Sequence, residues 1–128
     1  MTFSRAKQTF EPARSGAEIG ILLYPNSQVA AVHGLTDLFC AANAIHCARG
    51  GAPCSEISVS HWKLNEDSRR IRRIYSTHPD RTQKLAVVIL PPSMGVPSGS
   101  NPKRERLCRW LKARLWRGSI WAFDGLRS

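Results

Sequence analysis

The sequence predicts an α/β fold in which helices cover both faces of a mainly parallel sheet. Three observations carry this. Two runs, Glu18 to Tyr24 and Leu85 to Leu90, are apolar at nearly every position, as suits strands buried on both faces. Each is followed, after a proline-containing break, by a segment with helical periodicity. The order of elements reads strand, helix, strand, basic hairpin arm, strand, helix, strand, and such alternation implies right-handed crossovers between parallel strands.

In chain order, residues 1–17 read as a flexible polar lead. The first strand, Glu18-Ile-Gly-Ile-Leu-Leu-Tyr24, is broken by Pro25-Asn26-Ser27, where Asn26 or Ser27 is placed to cap a helix. That helix is expected from about Gln28 to Ala48. Val29, Val32, Leu35, Phe39, Ala42 and Ile45 form its stripe, and Gly34 is explained by a close approach to a strand. Gly50-Gly51 ends it with left-handed backbone. Ile57 to Leu64 alternates more and reads as a strand with one face less buried. Asn65 to Ser68 is a turn. Arg69 to Ser76 carries four arginines and reads as a short exposed strand or hairpin arm. Leu85 to Leu90 is stopped by Pro91-Pro92, because proline donates nothing to a sheet ladder. Asn101-Pro102 opens the second helix. Its inward face is read as Leu107, Cys108, Leu111 and Leu115, and Gly118 closes it. Ser119 to Ala122 starts another strand.

The 128 residues suit one domain, and a hydrophobic fraction of 42% argues against disorder. No signal-peptide core and no membrane-length apolar run are present, so a soluble, cytoplasmic chain is expected, with no membrane partner. The formal net charge of +10 favours contact with phosphates or acidic surfaces, with an ordinary solvated face as the alternative. Arg69, Arg70, Arg72 and Arg73 are the candidate nucleic-acid contacts, and weak, non-specific binding is expected of them. Trp110, Trp116 and Trp121 among arginines allow base stacking, but covering the sheet explains them as well. Cys40, Cys47, Cys54 and Cys108 form no CxxC and are read as buried small hydrophobes. His33, His46, His61 and His78 show no zinc spacing. Neither a metal nor a cofactor is expected.

Ile19 to Pro25, then Val32-His-Gly-Leu-Thr-Asp-Leu-Phe39 with Ala42-Asn43, resembles the opening of the ThiJ/PfpI-like sensor domain of AraC-type transcriptional regulators. Leu85 to Gly95 resembles that family's third strand and its loop, and Asn101 to Ala122 the next helix and strand. The likeness spans residues 18–122, leaving 123–128 as a divergent tail. It implies a flavodoxin-like three-layer fold, incomplete at its C-terminus. It also implies a small-molecule effector and no catalysis: no cysteine follows the last strand, and Ala31 stands where the family's enzymes place a glutamate. The helix-turn-helix region has no counterpart, so the chain reads as a truncated or frameshifted regulator that self-associates through uncovered surface. A basic nucleic-acid-binding module is the alternative. Ligands of doubly wound sheets bind at the carboxyl ends of the strands. That makes Tyr24, Pro25, Asn26, Pro92, Ser93 and Met94 pocket candidates, joined by Asp37 from the family-like motif.

Overall fold

The computed structural model describes residues 16–65, 67–81, 85–95, 102–115 and 120–122. The elements are β1 (Glu18–Leu23), α1 (Val29–Ala48), a single 3-10 turn (Pro53–Ser55), β2 (Ser58–Leu64), β3 (Ile71–Ser76), β4 (Leu85–Leu90), α2 (Pro102–Leu115) and β5 (Ile120–Ala122). The fold is α/β, and the expected order of elements is the observed one. Asn101, Trp116, Arg117, Gly118 and residues 1–15 and 123–128, on which some expectations fall, lie outside the described residues, as does the side chain of Trp121.

The five strands lie in the order β3-β2-β1-β4-β5. β1 pairs in parallel with both β2 and β4, β4 pairs in parallel with β5, and only β3 runs antiparallel, against β2. β1 is therefore central. Alternate residues of a strand face opposite ways, and β1 divides its side chains between two apolar clusters. Ile19 and Ile21 pack with Val59, Ile89 and the α1 side chains Val32, Leu35 and Phe39. Leu22 packs with Leu64, Leu85, Val88, Leu90 and the α2 side chains Leu107, Trp110 and Leu111. Ile21, Val59 and Val88 are fully buried, and each such side chain contributes on the order of 1.5–3 kcal/mol. Gly20 lies where a Cβ would come within 2.8 Å of a Leu85 methyl and 3.2 Å of the Trp62 ring, so the tight approach predicted for a helical glycine occurs in the central strand instead.

Several local expectations are corrected. The sheet-facing side of α1 is Val32, Leu35, Thr36, Phe39 and Asn43, while Val29 and Ile45 are 56% and 54% exposed, and Ala42 is exposed too. α1 is apolar around much of its circumference, so its sequence leaves the docking phase undetermined. Gly34 faces open space. Neither Asn26 nor Ser27 caps α1: the N-cap is Gln28, with no side-chain bond, and Asn26 adopts left-handed backbone at φ 66°. Ser58 to His61 are all buried, so β2 is less one-sided than its alternation implied. The four thiols are exposed rather than buried. Cys108 lies outside the α2 docking face because Leu107, Trp110 and Leu111, at i, i+3 and i+4, take the contact with the sheet. The helix stop at Gly50, with φ 78°, is as expected.

Candidate functional site

The chain leaves β1 toward β2 on one side and leaves β4 toward β5 on the other. The connections thus diverge between two adjacent parallel strands, and the loops at their carboxyl ends meet there. Residues 24–28 and 91–95 form this site. The Gln28 N–H donates to the Pro92 carbonyl (2.8 Å), and the Met94 N–H to the Asn26 carbonyl (2.7 Å). Ser27 and Ser93 form an isolated antiparallel bridge. The Tyr24 hydroxyl donates to the Pro91 carbonyl, and the Tyr24 N–H donates to Ser27 Oγ (3.3 Å). Burial pushes the Tyr24 phenol above its ordinary pKa, so it stays a neutral donor at neutral pH.

Six of the sequence-predicted pocket residues therefore gather in one place: Tyr24, Pro25, Asn26, Pro92, Ser93 and Met94. Pro25, Asn26, Pro92 and Met94 are exposed, while Tyr24 and Ser93 are half-buried. Asp37 is not brought to them. It is exposed, two turns into α1, and among the described residues no hydrogen bond or ion pair reaches it. The gathered side chains offer hydroxyls, an amide and a thioether. Tyr24 is the one titratable group among them.

The opposite end of the sheet holds a denser polar cluster that sequence reasoning missed. Glu56, just before β2, is its hub. The Cys47 thiol donates to Oε1 (2.8 Å), and His78 Nε2 lies 3.0 Å from Oε2. Arg81 reaches Oε2 at 3.9 Å and donates to the Glu56 and Pro53 carbonyls (3.1 and 2.6 Å). His78 Nδ1 lies 2.9 Å from Thr77 Oγ1. Hydroxyl, imidazole and carboxylate thus stand in the order of a catalytic triad. Two facts oppose that reading. Thr77 Oγ1 already accepts the Val59 N–H (2.9 Å), replacing a sheet carbonyl. The Cys47 pKa is also raised, first by the hydrogen bond its thiol donates to Glu56, then by desolvation of the thiol and by the Glu56 charge. Activated cysteines show the reverse shift. The Glu56 carboxyl is held below its usual range by Cys47 and His78, with Arg81 adding to it. Nearby, the Asn43 side chain clamps Ile57, donating to its carbonyl (2.7 Å) and accepting from its N–H (2.8 Å).

A third group lies between α1 and the sheet. Thr36 Oγ1 donates to the Val32 carbonyl (2.8 Å) and lies 2.8 Å from His61 Nε2. With the hydroxyl proton on Val32, His61 Nε2 is the donor, which assigns the tautomer. Burial, and then the neighbouring His33, push the His61 pKa down.

Of the candidate nucleic-acid contacts, Arg69, Arg70 and Arg72 are exposed, whereas Arg73 pairs at 3.4 Å with Glu18, which is 2% exposed. Adjacent strand residues face opposite ways, so β3 sends Arg73 to the α2 side and Arg72 to the α1 side. Trp110 packs against Trp62, with ring centroids 5.7 Å apart, as the covering reading expects. Among the described residues no group of three His, Cys, Asp or Glu is placed to hold a metal ion. No helix there is long and apolar enough to cross a membrane.

No protein-family model, curated protein or solved structure matches the chain.

Proposed function

We propose that the chain is a non-catalytic, effector-binding module of the ThiJ/PfpI sensor type, a flavodoxin-like three-layer domain that takes a small molecule at the carboxyl ends of β1 and β4. One observation carries this reading. The loops after these strands meet where the connections diverge, and both are pinned by backbone hydrogen bonds and by Tyr24. Loops so held are preorganised for a ligand. Its side chains donate and accept hydrogen bonds, and none of those described titrates near neutral pH, which favours binding over proton-transfer chemistry. Ser93, Asn26 and the Met94 side chain supply the contacts with the ligand, and Tyr24 positions the loop.

The test is an amide chemical-shift titration with a library of small carboxylates, polyols and amides. The expected perturbations fall on Tyr24, Asn26, Ser27, Ser93 and Met94. Shifts confined to the Cys47, Glu56 and His78 end would overturn the assignment. Esterase turnover that disappears in Cys47→Ser would overturn its non-catalytic half.

A further inference from the structure

The β2–β3 corner of the sheet concentrates cations that no ion pair among the described residues neutralises, although Asp67 stands in the same turn. Lys63 and Arg72 are cross-strand partners, and like charges directly opposite one another destabilise a sheet. Arg69 and Arg70 stand in the turn just before β3, and Arg69 adopts left-handed backbone at φ 54°. Among the described residues none of Lys63, Arg69, Arg70 and Arg72 is in an ion pair, although Arg73, the next residue, is. His61 and Tyr75 are also cross-strand partners. His61 and Lys63 lie two apart on β2, so Tyr75 and Arg72 share the face on which α1 packs. The Tyr75 ring rests against His61 with centroids 4.8 Å apart, yet Tyr75 remains 48% exposed. One side of a supported aromatic ring is thus open beside a row of unpaired cations.

We propose that this corner binds single-stranded nucleic acid, with Lys63, Arg69, Arg70 and Arg72 on phosphates and a base stacked on Tyr75. An unpaired cation row alone fits any polyanion. The supported, half-open ring beside it is what selects a strand with accessible base faces. Stacking on an aromatic face tolerates any base, so sequence preference is not expected. The proposal is independent of the effector site proposed at the carboxyl ends of β1 and β4.

The experiment is fluorescence anisotropy with a labelled oligothymidylate across a salt series, on the full chain. Four phosphate contacts predict a log–log salt slope of about −3, at roughly 0.7 per contact. Lys63→Gln with Arg72→Gln should flatten that slope by about 1.4 and weaken binding at least about tenfold at low salt. Arg104→Gln with Arg109→Gln removes the same charge from the exposed side of α2 and should leave the slope near about −3 and the affinity within about twofold, because neither arginine is a contact in the counterion-release account. Ultraviolet cross-linking of the unsubstituted chain should recover the oligonucleotide on the Tyr75 peptide, a readout that needs no variant to fold. Equal losses from the two double variants, cross-links elsewhere, or displacement by polyglutamate at equal charge would overturn the proposal.

Discussion

The two ends of the sheet differ in what their side chains are doing. At the carboxyl ends of β1 and β4, backbone groups hold the loops together and several side chains are left facing solvent. At the opposite end, Cys47, Glu56, His78, Thr77 and Arg81 satisfy one another. The chemically richer end is the one whose groups are already taken up. Residue types that suggest catalysis mean little until their hydrogen bonds are accounted for, because a part-buried carboxylate with three polar neighbours is a structural hub.

If the polar end is structural, its clamps should matter most to stability. Asn43→Ala strands both the N–H and the carbonyl of Ile57, and should cost about 2–3 kcal/mol, read from denaturant melts. At the other end, Tyr24→Phe removes one bond to the Pro91 carbonyl and should cost about 1 kcal/mol. A larger loss for Tyr24→Phe than for Asn43→Ala would reverse the comparison.

The Thr36–His61 contact predicts a pH dependence. The folded-state pKa of His61 is depressed, so its contribution is present above the unfolded value of about 6.5 and is lost as pH falls through the folded value. Melts from pH 7.5 downward should show declining stability below about pH 6.5, and an imidazole titration followed by NMR should place His61 below the ordinary histidine value of about 6.5. An elevated His61 value would show that the ring is not desolvated against α1.

Thiol chemistry sharpens the account of Glu56. Cys40 and Cys47 are both exposed on α1, but of the two only Cys47 donates to a carboxylate, and that hydrogen bond raises the Cys47 pKa. Alkylation near pH 8, followed by peptide mass spectrometry, should be slower at Cys47 than at Cys40, and Glu56→Gln should speed it several-fold. Cys47 reacting fastest would mean that the cluster activates the thiol. The smallest effect on stability is expected from Leu38→Lys, at a position 61% exposed on α1. It should leave the melt nearly unchanged and reduce self-association in light scattering, because Val29, Leu38 and Ile45 are the large apolar side chains that α1 exposes.

Much of the architecture was legible from local pattern. The β4 boundaries, the antiparallel arm at residues 71–76 and the end of α1 at Gly50 follow from continuous apolar runs, proline stops and a glycine. The gathering of Tyr24, Asn26, Pro92, Ser93 and Met94 followed from parallel strands and the rule that their carboxyl ends carry the site. The phase of α1 was not legible, because its apolar residues occupy more than one face. Asp37 was read from a resemblance, but a local likeness of sequence does not say which side of a helix meets the sheet.

By itself, then, the sequence determined the kinds and order of elements, since local periodicity and backbone stereochemistry act over a few residues. Only the tertiary structure decided which polar groups found partners. Glu18 meets Arg73 across β2, Thr36 meets His61, and Asn43 holds Ile57. These pairs are 14 to 55 residues apart in the chain. No spacing rule links them. They form because a buried donor or acceptor must take whatever partner the packed sheet and helices bring within reach.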